Sequence, residues 1–233
     1  MSLRTSESGS RKISGRNLFV TDSSHPHTYN KPQKWGFIVT RVIGKIATIE
    51  LWYTHYMQNK PPRETDSPEE MLDLVDENDN VIGSKSRKEI YAEGLRNYRV
   101  VHAFIVNSKG KIWIPRRVST KKLYPDGLDY SIAGHVESGE TYEEGMIKEA
   151  IEEVDIDLKT TPFEEIASFN PHTHEVHCFQ KVYVINSDTV PNYNKEDFSG
   201  YEWLSPEEIV KRFEEGESGK EDIPEVVRLC FLQ

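Results

Sequence analysis

Cysteine is nearly absent. Cys178 and Cys230 are the only two in 233 residues, and they lie far apart. That argues against a disulfide framework or a zinc ribbon and points to a reducing compartment, the cytoplasm. Long apolar runs are missing too. The most apolar long window, Trp35–Met57, is broken by Arg41, Lys45 and Glu50, which is costly inside a bilayer, so no membrane association is expected. Residues 1–16 are polar and show no signal peptide. A basic surplus is also lacking, since 29 Lys+Arg stand against 39 Asp+Glu for a net charge of −10. This disfavours nucleic acid as a partner, because neutralising its phosphates needs a basic face, and it disfavours an anionic membrane surface. What is present, 36% hydrophobic and 10% aromatic residues, is enough to bury a core.

The composition divides the chain into an extension, 1–66, and a domain, 67–233. Residues 1–16 read as disordered. In 17–57, β-branched residues around Phe37-Ile38-Val39 and Ile46-Ala47-Thr48-Ile49 favour a hairpin, and helical spacing fits almost as well. Residues 58–69 read as a linker. Beyond Met71 the spacing predicts a hairpin around Asp76–Asn80 and a short helix at Ser86–Glu93. Strands are expected at Tyr98–Asn107, Lys111–Arg117, Asp129–Ala133, Glu164–Phe169, Glu175–Ile185 and Tyr201–Leu204. In the second of these, Lys111 and Trp113 should face outward. Helices are expected at Thr141–Val154, Ser205–Glu214 and Ile223–Leu232. Irregular interleaving of strands and helices makes the class α/β with a mixed β-sheet.

The segment from Gly134 to Ile156 carries the chemistry. Thr141 and Glu144 have capping-box spacing. Met146, Ile147, Ala150, Ile151 and Val154 form a stripe that docks the helix on a core. Glu149, Glu152 and Glu153, at i, i+3 and i+4, share another face, with Lys148 the only base nearby. Three carboxylates on one turn repel, and a hard divalent cation would relieve them. A solvated acidic face fits the spacing equally well.

The same segment resembles the Nudix box, G-x5-E-x7-R-E-U-x-E-E-x-G-U, with U a bulky aliphatic residue. Gly134, Glu140, Glu149, Glu152, Glu153 and Ile156 match. Lys148 replaces the arginine, Ala150 stands at a U position, and Asp155 replaces the glycine after the helix. Aspartate tolerates the left-handed conformation that this cap requires better than most residues. The resemblance implies an α/β/α sandwich and hydrolysis of a diphosphate linked to another moiety. Glu149, Glu152 and Glu153 would hold Mg2+, with Mn2+ as the alternative, and the Gly134 carbonyl would be a further ligand. Glu149 or Glu153 would help activate water. Lys148 would orient a carboxylate, and Glu140 would support the loop–helix junction or a metal-bound water.

The stretch from Met71 to Leu232 is also similar to the Nudix branch related to isopentenyl diphosphate isomerase. That branch places its catalytic cysteine where this chain has Ala133, so the resemblance implies a hydrolase of nucleoside di- or triphosphates or related nucleotides. An idle nucleotide sensor on the same fold is the alternative, and the isomerase a weaker one. Arg116 and Arg117 end a strand near the site. They are candidates for substrate phosphate, although alternation turns only one of them inward. Lys121 and Lys122 follow in a loop. Glu175 resembles the isomerase's second acidic position and is expected on one strand face with His177, near His172 and His174. For residues 17–66, covering the pocket, mediating homodimer contacts and forming an unstructured extension all stay open.

Overall fold

The computed structural model describes residues 49, 51–59 and 67–232. The segments expected to be disordered (1–16), and most of the expected hairpin in 17–57, lie outside the described residues. From residue 51 the chain is helical, α1 (51–59). The described residues all belong to one compact unit. Helix α1, assigned from sequence to the extension, packs on its core through Trp52 and Tyr53, joined by Ile49.

The elements that follow are β1 (Met71–Val75), β2 (Val81–Ser86), α2 (Arg87–Glu93), β3 (Arg99–Val106), β4 (Ile112–Arg117), β5 (Ile132–His135), α3 (Tyr142–Val154), β6 (Phe163–Phe169), β7 (Phe179–Asn186), β8 (Phe198–Leu204), α4 (Pro206–Glu214) and α5 (Ile223–Phe231). Strands β1 and β2 make an antiparallel hairpin of their own. Its turn is held by Asp76, whose Oδ1 accepts from the Asn78 and Asn80 N–H groups. The main sheet runs β6-β7-β3-β4-β8, with β5 paired to β3. It is mixed, since β3 and β7 are parallel and the other pairings are antiparallel.

Two cores cover the two sheet faces. On one, Met146, Ile147, Ala150 and Val154 of α3 pack on Val101, Ala103, Ile105 and Trp113. On the other, Ile209, Val210, Ile223, Val226 and Val227 of α4 and α5 pack on Phe104, Ile112, Ile114 and Tyr130. This is the expected α/β/α sandwich. It also corrects the outward place given to Trp113, which is fully buried. A strand with helices over both faces shows no polar alternation.

Two strand limits move as well. Strand β5 starts at Ile132 rather than Asp129. Strand β7 starts at Phe179, and Glu175 lies in the preceding turn. There the Asn170 side chain accepts from the His172 N–H at 2.8 Å, while Arg96 binds the Val176 and His177 carbonyls. Those side-chain bonds take the place of a ladder, so Glu175 and His177 do not share a strand face.

The interior face of β3 places His102 flat on Tyr130, with ring centroids 3.7 Å apart. Burial lowers the His102 pKa from 6.5 to about 4, against the opposing pull of Asp222. Between those values the unfolded chain binds a proton that the folded one refuses. Stability should therefore hold above pH 6.5 and fall as pH drops towards 4, with a slope from this group of at most about 1.4 kcal/mol per pH unit. Urea titrations at stepped pH should show that fall, and His102→Phe should flatten it within this window.

Candidate functional site

Helix α3 starts and stops on local chemistry. The Thr141 side chain accepts from the Glu144 N–H at 3.2 Å, and Glu144 Oε2 accepts from the Thr141 N–H at 2.8 Å. This reciprocal cap satisfies two otherwise orphaned donors. At the other end Asp155 adopts φ 54°, the left-handed cap expected of it. With its apolar stripe on the core, the helix turns Lys148, Glu149, Glu152 and Glu153 to a cleft of about 1220 Å3, also lined by Gly134, Glu137 and Glu140.

Lys148 is the hub of the acidic wall. Its Nζ lies 2.7 Å from Glu137, 3.1 Å from Glu140 and 3.9 Å from Glu149. Burial works against its charge, yet Glu149, Glu140 and Glu137 outweigh that and raise its pKa. Burial raises the pKa of Glu140 despite Lys148. Burial also lifts Glu149 well above the usual carboxylate range. Lys148 opposes that shift, while Glu153 and Glu152 add to it. One buried cation does not balance this many carboxylates.

Strand β5 sets the other side. A Cβ on Gly134 would lie 2.0 Å from the Glu149 carboxyl carbon, so only glycine lets Glu149 seat there. The Ala133 N–H donates to Glu153 Oε2 at 2.8 Å, and the Val136 N–H donates to the Arg99 carbonyl on β3. Peptide groups along an antiparallel strand alternate sides. The Gly134 N–H and carbonyl therefore face the β3 ladder, and it is the Ala133 carbonyl that faces the glutamates. Gly134 leaves room for Glu149 by having no side chain.

The carboxylates and the Ala133 carbonyl are hard oxygen donors with surplus negative charge, which is the chemistry a divalent cation requires. Among the described residues, however, no three His, Cys, Asp or Glu groups converge as a ready coordination set. The reason is visible in their partners. Glu153 is turned to the Ala133 N–H, and Glu152 Oε1 accepts from the Tyr56 hydroxyl of α1. Burial, then Glu152, raises the pKa of that hydroxyl.

The same cleft carries basic groups. Arg117 and Lys220 share the buried Asp129 at 2.5 and 2.8 Å, with Asp222 beside them, and Arg96 and Lys121 also line the cleft, Lys121 paired with Asp197 at 2.7 Å. Asp129 is kept below the usual carboxylate range because Lys220 and Arg117 overcome the cost of burial. Of the two candidate arginines, Arg117 is brought to the cleft. Arg116 is not. It turns to Glu217 at 3.0 Å, Glu202 at 3.7 Å and the Asp126 carbonyl. Glu175 is exposed and stands outside the cleft.

Sequence reasoning missed Tyr56 and Trp52, which the structure brings to the cleft. It also missed His135, which lies 3.3 Å from Glu70 and 3.0 Å from the Tyr91 hydroxyl. The signal for α1 was present, since Trp52, His55, Tyr56 and Asn59 stand at i, i+3, i+4 and i+7.

The comparisons with known proteins agree with this architecture. The family model described as NUDIX domain matches residues 96–225. A Nudix hydrolase of Nostoc sp. is 46% identical over 162 residues, 70% of this chain and 96% of that protein. A Nudix hydrolase of Deinococcus radiodurans is 44% identical over 165 residues, 71% of this chain and 96% of its own length. A D. radiodurans crystal structure with 44% sequence identity superimposes with a TM-score of 0.66, covering 70% of this chain and 99% of that one. A glutamate-bearing helix seated on a glycine strand, with relatives of this identity matched over nearly their whole length, places the chain in the Nudix hydrolase family.

Proposed function

We propose that the protein is a Mg2+-dependent pyrophosphohydrolase cleaving a diphosphate linkage in a nucleoside di- or triphosphate or a related nucleotide. The observation that carries this reading is one cleft lined both by the carboxylates of α3 and by the cationic groups Arg117, Lys220 and Arg96. Glu149, Glu152, Glu153 and the Ala133 carbonyl would hold the cation. A bound divalent cation supplies neutralisation of phosphate charge and an activated water. The chain's own groups do the rest. Lys148 fixes Glu137 and Glu140, and Gly134 admits Glu149. The Ala133 N–H orients Glu153, and Arg117 and Lys220 present positive charge to phosphate oxygens.

Isomerase chemistry has no support from the residues here. Ala133 has no proton to move. Cys178, the thiol on the cleft among the described residues, is buried, and burial with the Asp222 charge pushes its pKa up, so it is a poor proton donor. Isopentenyl diphosphate should therefore give no dimethylallyl product.

Phosphate release from a nucleotide panel with Mg2+ tests the activity. Losing several kcal/mol of charge stabilisation corresponds to on the order of 10²–10³ in turnover, the drop expected for Glu152→Gln or Glu153→Gln. Retained turnover in both would sink the assigned roles. Tight nucleotide binding with no product from the unaltered protein would favour the idle sensor.

Lys148→Met should destabilise the fold by about 2–3 kcal/mol in urea unfolding, below the ~3–5 kcal/mol of a fully buried pair because Glu137 is half-exposed. Lys148→Arg should keep most of the stability. Equal midpoints for Lys148→Met and the unaltered protein would remove Lys148 from its place as hub.

A further inference from the structure

Helix α1 presents one polar-aromatic stripe to the cleft. Trp52, His55, Tyr56 and Asn59 all line it, one above the next along the helix. The Trp52 and Tyr56 rings lie parallel, with centroids 5.2 Å apart and an interplanar angle of 3°. Trp52 and Tyr53 anchor the helix on the core. The Tyr56 hydroxyl donates to Glu152, which fixes the stripe beside the carboxylates of α3. At the outer end Asn59 Nδ2 donates to the His55 carbonyl at 2.9 Å and lies 3.3 Å from His55 Nδ1. His55 and Asn59 are exposed, whereas Trp52 and Tyr56 are half-buried.

We propose that α1 is a wall of the substrate site and that the parallel Trp52–Tyr56 pair stacks on the flat heterocycle of a nucleotide whose phosphates lie at the glutamates. This rests on the diphosphate-hydrolase reading above. A pair of parallel rings offers a π surface that a third flat ring extends, and such stacking accepts any base because every base has a π face. An alkyl chain gains less there. His55 and Asn59, further along the same stripe, offer hydrogen bonds to a base edge or a sugar. Tyr56 spends its hydroxyl on Glu152, so it is a positioning residue as well as a stacking one.

The test uses the full chain. With Mg2+ present, tryptophan fluorescence is followed on titration with nucleoside monophosphates of each base, which hold no diphosphate to cleave, and with ribose 5-phosphate. Under the same conditions KM and kcat are measured for the matching nucleoside diphosphates. Saturable quenching by the nucleotides and none by ribose 5-phosphate is expected, with the quench lost in Trp52→Leu. The same variant should raise KM about tenfold with little change in kcat, the size of one lost base stack. His55→Ala, which removes an exposed side chain, should raise KM about threefold by loss of a single contact. Met57→Ala, off the stripe, should change neither. If circular dichroism shows Trp52→Leu unfolded, His55→Ala decides. Nucleotide hydrolysis with KM unchanged in the folded variants overturns this inference and leaves the hydrolase reading intact. An unaltered protein that neither binds nor hydrolyses any nucleotide overturns both.

Discussion

The carboxylate of Glu149 occupies space that any side chain on residue 134 would fill, since a Cβ there would stand 2.0 Å from its carboxyl carbon. Much of the site depends on that close approach. It crowds Glu149 among Glu152, Glu153 and Lys148, while Glu153 of the same helix accepts from the Ala133 N–H. The cost is electrostatic, because burial and neighbouring carboxylates hold Glu149 well above its usual pKa. A fold selected only for stability would not gather like charges this way. The arrangement makes sense when the charge is completed by a cation from outside the chain.

The net charge of −10 is concentrated in the same place. Nine acids and one lysine lie between Glu137 and Asp157. Lys148 neutralises part of this from inside, reaching Glu137 and Glu140 in the loop before the helix. The same cleft holds Arg117 and Lys220, tied together by Asp129, and Arg96. The overall acidity of the protein is therefore compatible with an anionic ligand, because the cleft also carries cationic groups and its carboxylates can be met by a cation.

Legibility in the sequence followed locality. Helix α3 was readable because its cap, its stripe and its left-handed end at Asp155 are set by residues within a few positions of each other. The family box lies on that same local stretch. The places of Trp113, Arg116 and Glu175 were not readable in this way. Whether Trp113 is buried depends on helices distant in sequence, α3 on its own sheet face and α4 and α5 on the other. Whether Arg116 or Arg117 reaches the cleft depends on Asp129, Glu202 and Glu217. Glu175 left its expected strand because Asn170 and Arg96 took up the local hydrogen bonds. Which carbonyl of β5 turns towards the glutamates was not readable either, because ladder parity is a property of the β3–β5 pair. In α1 the β-branched residues just upstream pointed to a hairpin, while Trp52 to Asn59 kept a helical stripe whose partner, Glu152, lies far along the chain.

The central claim is that α3 and β5 form a site whose charge is completed by a divalent cation. Thermal unfolding of the unaltered protein and of Glu149→Gln, with increasing Mg2+ and without substrate, addresses it directly. The account predicts a saturable rise in the Tm of the unaltered protein, since a ligand bound only by the folded state stabilises it, and a much smaller rise in Glu149→Gln. An unaltered protein whose Tm does not respond to Mg2+ or Mn2+ would contradict it, as would an equal rise in both proteins.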